Sequence, residues 1–127
     1  MKKQDLPLSP HLQIYKPQIT SLLSISHRIS GVALNFMLVI LVLGLLCITL
    51  GESYFELLIS LINSFPIKII IFLAILGFSY HFLNGIRHII WDFGFLLGNR
   101  SSAIFGYIII ATSLISSILI SRLLGLF

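Results

Sequence analysis

The stretch "ISGVALNFMLVILVLGLLCITL" (residues 29–50) carries no charged side chain and decides the fold class. A helix needs about 20 mostly apolar residues to cross a hydrocarbon core of roughly 30 Å. The rest of the chain agrees, since 57% of its 127 residues are hydrophobic, 9% are charged, and the mean hydropathy is +1.08. A soluble domain of this size needs far more polar surface. The sequence therefore predicts an all-α integral membrane protein.

Two further apolar stretches, at about 69–91 and 103–120, are also long enough to span a bilayer. The third stretch extends to Leu124 if the Arg122 side chain reaches back to the interface. With their flanking residues, the three predicted transmembrane helices cover about 22–50, 66–94 and 103–124.

The connecting segments have recognisable patterns. Prolines at positions 7, 10 and 17 predict an N-terminal arm that is extended or turn-like and not helical. The segment "GESYFELLISLINSFP" (51–66) alternates polar and apolar residues at helical spacing, which predicts a short interfacial helix over about 52–63. The segment "DFGFLLGNRSS" (92–102) predicts a tight loop. No repeat or low-complexity linker divides the chain, so residues 1–127 are predicted to form one anchor domain.

Basic residues predict how the chain is oriented in the membrane. With the N-terminus in the cytoplasm, six Lys and Arg residues lie inside and two lie outside, the latter alongside Glu52 and Glu56. This bias favours a cytoplasmic N-terminus and a periplasmic C-terminus. The inside set is Lys2, Lys3, Lys16, Arg28, Arg87 and Arg100, and the outside set is Lys68 and Arg122.

Charge and the N-terminal sequence also limit location and partners. The net charge of +4 suits a membrane protein whose basic ends face an anionic leaflet. No basic cluster is interleaved with aromatic residues on a soluble face, so nucleic-acid binding is not expected. The first 18 residues lack the apolar core of a signal peptide and the Arg/Ser-rich pattern of a transit peptide. We therefore expect a bacterial inner membrane rather than the mitochondrial one.

The second span ends in the polar stretch "HFLNGIRHIIWDFG" (81–94). If Trp91 marks the interface, His81 lies about 15 Å deep, near the bilayer midplane, and His88 only about 5 Å deep. A neutral imidazole at the midplane can ligate a haem iron, Gly85 on the same face leaves room for the macrocycle, and Arg87 and His88 could neutralise its propionates. Spacing alone equally allows His81 to hydrogen-bond a neighbouring helix, with Gly85 permitting close packing. A third, weaker possibility is that His81 and His88 bind two different haems.

A second axial histidine is not available within the chain. His11 lies in the proline-containing arm and His27 lies near the surface, so neither reaches the midplane easily. A haem held by two histidines would therefore need a second chain, either a different subunit or, less favourably, a second copy.

The start of the first span, "SISHRISG" (24–31), places polar side chains at the mouth of a membrane helix. Ser24 and Arg28 are four residues apart and share a helix face. A hydroxyl and a guanidinium there could hydrogen-bond the carbonyl of a ligand whose tail lies in lipid. Alternatively, Arg28 is a positive-inside anchor, and Ser21 or Ser24 caps the helix.

These two polar stretches resemble the cytochrome b membrane-anchor family of succinate dehydrogenase (complex II), the larger of its two anchors. Residues 6–31 contain the family's S-x-x-H-R-x-S pattern, and residues 81–94 fit its H-x3-G-x-R-H-x2-aromatic-D-x-G pattern at every fixed position. Together they cover about a third of the chain. The family usually has Arg-Pro where this chain has Leu6-Pro7, which puts any partner contact of that arginine in doubt.

The resemblance implies a role for each matching residue. His81 would be one axial ligand of haem b, with the second histidine supplied by a smaller anchor subunit. Ser24 and Arg28 would lie at the ubiquinone site, near the iron–sulfur subunit. The remaining implied positions are the haem-propionate neighbours His27, Arg28 and His88, and the structural or supporting residues Gly85, Arg87 and Asp92, with Asp92 ordered through Arg87 or through the partner subunit.

The resemblance also implies the function. The chain would anchor succinate dehydrogenase in the membrane and carry electrons from the iron–sulfur subunit to ubiquinone, linking the tricarboxylic acid cycle to the respiratory chain. Succinate oxidation, the flavin and the iron–sulfur clusters would belong to the flavoprotein and iron–sulfur subunits, because this chain has no Cys cluster or Gly-rich nucleotide loop. The alternatives are the anchor of a quinol:fumarate reductase and a small membrane channel or scaffold without redox chemistry.

Overall fold

A computed structural model of the protein describes residues 16–127, and within that range all regular structure is helical. The described helices are α1 (Ile19–Thr49), α2 (Glu52–Asn63), α3 (Phe65–Asp92) and α4 (Asn99–Leu123). The predicted all-α class is confirmed. The expectations for Leu6, His11, and the prolines and lysines of the first 15 residues lie outside the described residues.

Three of these helices are long and apolar enough to cross a membrane: α1 with 31 residues, α3 with 28 and α4 with 25. Their large apolar side chains mostly point outward, whereas Leu23, Ile109 and Leu126 are the apolar side chains buried within the described residues. Such an outward-facing apolar surface suits lipid or a protein partner rather than water. The prediction of three membrane-spanning helices is confirmed.

Two helix starts differ from the predicted spans. Helix α1 begins at Ile19, so the polar stretch 24–31 lies wholly inside the first helix. Helix α4 begins at Asn99 rather than near 103, because the Ser102 amide already donates to the Gly98 carbonyl at 2.8 Å. The connection between α3 and α4 is therefore shorter than the predicted 92–102 loop.

The turns between helices rest on local chemistry. Gly51 has a φ of 114°, a backbone conformation that glycine adopts readily and other residues rarely adopt. This conformation lets the chain leave α1 and enter α2. Ser64 has an extended backbone and precedes α3, whose second residue is Pro66. Proline is tolerated there because amide hydrogens in the first turn of a helix have no acceptor within the helix. These turns lay α2 against both α1 and α3.

Helix α3 is central and packs against α1 on one side and α4 on the other. The packing face of α4 consists largely of small polar residues, and hydroxyls on this helix donate to its own carbonyls, for example Ser117 to Leu114 at 2.8 Å. A hydroxyl satisfied in this way can be buried at low cost while letting helix backbones approach closely. The buried residues of α4 are Ser102, Gly106, Ile109, Ser113, Ser117 and Ser121.

Helices α1 and α4 are in close contact at Gly106. A Cβ atom added there would overlap Cδ1 of the buried Leu23, and one added at Gly77 of α3 would meet nothing within 4 Å. We expect Gly106→Ala to destabilise the bundle by about 1–3 kcal/mol through overpacking. Gly77→Ala, the matched control, should be neutral or stabilising by up to about 1 kcal/mol, because alanine favours a helix more than glycine does. Thermal unfolding of the detergent-solubilised protein by circular dichroism tests this, and equal midpoints for the two variants would contradict the observed α1–α4 contact.

A histidine cluster between α1 and α3

Three histidines from two helices meet at the α1–α3 seam. The rings of His27 and His81 stack with centroids 4.0 Å apart and planes within 7°. His88 lies on the other side of His27, with ring centroids 5.2 Å apart. The two polar stretches identified in the sequence are therefore adjacent in space, although more than 50 residues separate His27 from His81.

His81 is held against α1 by one edge of its ring. Its Nδ1 lies 3.1 Å from Oγ of Ser30 and 3.2 Å from the carbonyl oxygen of His27. A Cβ atom on Gly31 would come within 3.0 Å of Cε1 of His81, so only glycine leaves room for the ring at this distance. The Nε2 atom makes no hydrogen bond with residues 16–127. It is also not fully buried by them, unlike Nδ1 of His27.

Unpaired nitrogen atoms surround the cluster. Nδ1 of His27 and Nε1 of Trp91 are buried without a hydrogen-bond partner among the described residues. The Trp91 ring packs edge-on against His88, with centroids 5.1 Å apart. Buried polar groups without partners are costly, so their concentration here points to a polar group that is supplied from outside the chain.

The cluster suits a haem better than a bare metal ion. The nitrogen lone pairs of an imidazole lie in the plane of its ring, so two stacked rings cannot both direct a lone pair at an ion between their faces. In addition, residues 16–127 contain no group of three or more His, Cys, Asp or Glu able to hold a metal. Three features fit a macrocycle that takes one ligand from this chain. His81 has one free imidazole nitrogen, and neighbouring nitrogens are unpaired. There is also space at Gly85, where an added Cβ would meet only His27, at 3.9 Å.

Arg28 faces away from this seam. It is exposed, and its guanidinium makes no hydrogen bond or ion pair with residues 16–127. It stands at an open apolar groove of about 440 Å³ that runs along the outer face of α1, past Val32 to Phe36. Ser24, one turn earlier, is half-buried. The structure thus brings His27, but not Arg28, into the histidine cluster.

Arg87 occupies a different position from the one that its sequence neighbours suggest. It is 1% exposed, and one terminal nitrogen donates to both the carbonyl and the hydroxyl of Ser102, each at 3.0 Å. A second terminal nitrogen donates to Asn84 at 3.3 Å, and the guanidinium lies 4.0 Å from the Trp91 ring centroid. Arg87 therefore joins α3 to α4, while its Nε atom is buried without a hydrogen-bond partner among the described residues, and its suggested contact with propionates stays a prediction.

Asp92 does not pair with Arg87. It is exposed at the last residue of α3 and forms no ion pair within residues 16–127. The structure therefore gives no support to an ordering of Asp92 through Arg87, because the guanidinium bonds Ser102 instead. The suggested contact of Asp92 with a partner subunit stays a prediction.

Four residues that complete this region were not singled out by sequence reasoning. Ser30 and Gly31 position His81, and Ser102 receives Arg87. The Tyr80 hydroxyl donates to the Leu23 carbonyl at 2.7 Å, which ties α3 to the first turns of α1. Ser30 carried a signal as a fixed position of the first motif, whereas Ser102 fell in a predicted loop and carried none.

The sequence family is decided by comparison with known proteins. A family model described as "Succinate dehydrogenase/Fumarate reductase transmembrane subunit" matches residues 2–120. The chain belongs to this family. The resemblance inferred from the two polar motifs is thereby confirmed over nearly the whole chain.

Individual relatives of this anchor family agree. The chain is 41% identical over 114 residues to the succinate dehydrogenase cytochrome b556 subunit of Rickettsia typhi, covering 90% of this chain and 89% of that one. It is 46% identical over 101 residues to the cytochrome b560 subunit of Marchantia polymorpha (75% and 73% covered). It is 41% identical over 123 residues to that of Chondrus crispus (90% and 93%). The bacterial relatives and the three apolar helices support a multi-pass protein of a bacterial inner membrane.

Proposed function

We propose that the chain is the cytochrome b membrane-anchor subunit of succinate dehydrogenase, in which it helps to bind haem b and ubiquinone. The observation that carries this proposal is the histidine cluster, in which His81 is fixed through Nδ1 and leaves Nε2 free. The family match and the names of the relatives support the same assignment. Succinate oxidation would take place on a flavoprotein subunit, and an iron–sulfur subunit would deliver the electrons.

In this proposal His81 would hold the haem iron through Nε2, and a histidine of a smaller anchor subunit would hold it as well. Bound haem b provides a centre that accepts and releases one electron at a time. His27 and His88 flank the same space, and the unpaired Nδ1 of His27 and Nε1 of Trp91 can donate hydrogen bonds to anionic propionates. Gly31 and Gly85 leave the room that a flat macrocycle and its ligand need.

Arg28 and Ser24 are proposed to bind the ubiquinone head. The apolar part of the Arg28 side chain lines the groove on α1 and its guanidinium is free, so a polar head at Arg28 and an isoprenoid tail along the groove match the chemistry of the surface. Hydrogen bonds from Arg28 and Ser24 to the quinone carbonyls strengthen as negative charge develops on those oxygens during reduction. Water at the cytoplasmic face would deliver the protons.

The topology and assembly in this proposal follow from the charges. The buried Arg87 lies between helices and no longer counts as a loop charge, which leaves five basic residues inside against two outside and still favours a cytoplasmic N-terminus. The whole chain, 1–127, would act as one anchor domain that packs with the second anchor subunit and with lipid. The flavoprotein and iron–sulfur subunits would then sit on the cytoplasmic side.

The alternative functions have less support. A quinol:fumarate reductase anchor fits the family description but not the names of the cited relatives. A channel with His81 and Arg87 as relay groups does not fit their surroundings, because Arg87 is enclosed between α3 and α4 and Nδ1 of His81 is committed to α1.

The quinone assignment is tested by separating two activities of the purified complex. Arg28→Leu should lower succinate–quinone reductase activity by about 100-fold, the cost of removing one preorganised donor to a developing oxyanion. Ser24→Ala should lower it by about tenfold, the value of one hydrogen bond. Succinate oxidation with an artificial dye acceptor should survive both. Arg122→Leu, at the far end of α4, is the matched control, and equal loss of both activities in Arg28→Leu would indicate an assembly role instead.

A further inference from the structure

The surroundings of Nδ1 of His81 determine which ring nitrogen carries the proton. Two oxygens face Nδ1: Oγ of Ser30 at 3.1 Å and the carbonyl oxygen of His27 at 3.2 Å. A carbonyl oxygen can only accept a hydrogen bond. An unprotonated Nδ1 would point its lone pair at that oxygen, so the carbonyl alone favours a proton on Nδ1.

Ser30 acts in the same direction. Its hydroxyl donates to the His27 carbonyl at 2.8 Å, which spends its only proton and leaves Oγ as an acceptor toward His81. Both oxygens near Nδ1 are therefore acceptors, and the ring nitrogen is the donor. A neutral imidazole with its proton on Nδ1 carries its lone pair on Nε2, the nitrogen with no partner among residues 16–127.

We propose that Ser30 is a positioning residue for the haem ligand: with the His27 carbonyl, it fixes the Nδ1-protonated tautomer of His81 and leaves the Nε2 lone pair free for the iron that this histidine would hold. This inference rests on the proposed function, since it concerns the same histidine. When Nδ1 donates a hydrogen bond, the imidazole also becomes a stronger electron donor to iron through Nε2, which stabilises the oxidised state of the iron. Gly31 supports the arrangement, because any side chain there would push the ring away from the carbonyl.

A purely structural role for Ser30 makes a different prediction. Serine and threonine in helices often donate back to a carbonyl of the preceding turn, and Thr49 of α1 does this toward Leu46 at 2.8 Å with no histidine nearby. If the Ser30 hydroxyl served only that purpose, removing it would affect α1 as Thr49→Ala does and would leave the haem unchanged. Thr49→Ala is therefore the matched control.

The experiment uses the purified complex with all its subunits and measures haem content per flavin, the rate of haem transfer to apomyoglobin, and the haem reduction potential by redox titration. Ser30→Ala should weaken haem binding by about 10- to 100-fold, the usual effect of losing such a supporting hydrogen bond. It should also raise the reduction potential. Ser30→Thr, which keeps the hydroxyl, should restore both values, and Thr49→Ala should match the wild type.

Two results would overturn the proposal. One is a Ser30→Ala complex with wild-type haem affinity and potential. The other applies if the alanine variant does not assemble. In that case Ser30→Cys is used, in which a weak acceptor of similar size replaces the hydroxyl, and an unchanged haem reduction potential would overturn the proposal. Either result would leave the proposed function standing if His81→Ala still loses haem. Haem retention in His81→Ala would instead contradict the assignment of His81 as the haem ligand in the proposed function.

Discussion

Replacing His81 by alanine should eliminate the α-band of haem b from the reduced-minus-oxidised spectrum of the purified complex, while every subunit still copurifies. His81 is the histidine whose Nε2 is free and whose ring is fixed from the opposite edge by α1. If His81 holds the haem iron as proposed, its loss removes a coordinate bond, so the drop in haem affinity should exceed the roughly 100-fold that supporting hydrogen bonds account for.

His88→Ala is the matched control for this result. His88 is on the same helix and in the same cluster, but it reaches the site through contacts with His27 and Trp91. The variant should keep the α-band and change the haem potential only modestly. An α-band that persists in His81→Ala would contradict the ligand assignment, and its loss in His88→Ala alone would move that assignment to His88.

The fold could be read from the sequence because a bilayer imposes a simple requirement. Any stretch that crosses it must satisfy its own backbone, so long apolar runs such as 29–50 are helices whatever surrounds them. The short helix at 52–63 was equally clear from polar residues recurring at helical spacing, and the structure has it at Glu52–Asn63. The start of α4 at Asn99 was not clear, because Asn, Arg and Ser occur in loops as readily as in a first helical turn.

The site was only partly predictable for a related reason. Helical periodicity places His81, Gly85 and His88 on one side of α3, and the motif adds His27. Periodicity cannot show where a long side chain reaches, and Arg87 extends away from the cluster to Ser102 of α4. The contact of Ser30 with His81 likewise depends on how closely α1 approaches α3, which Gly31 sets and which no single helix pattern encodes.

The second large effect is expected for Arg87→Ala, which should destabilise the α3–α4 pair by about 2–4 kcal/mol. Hydrogen bonds to charged groups contribute about 1.5–3 kcal/mol each, but removing the buried charge also removes its desolvation cost, which offsets part of their sum. The substitution removes two bonds to Ser102, the bond to Asn84 and the contact with Trp91, and it leaves an empty space in the bundle. Thermal unfolding of the solubilised complex, followed by subunit composition after mild detergent exposure, measures the loss.

Arg87→Lys and Arg100→Ala sharpen this test. A lysine keeps the charge but cannot bond the Ser102 carbonyl and hydroxyl while lying flat on Trp91, so Arg87→Lys should recover only a small part of the loss. Arg100 is exposed at the start of α4, and its replacement should change little. Full recovery in Arg87→Lys would mean that the positive charge, and not the fork of hydrogen bonds between α3 and α4, stabilises the pair.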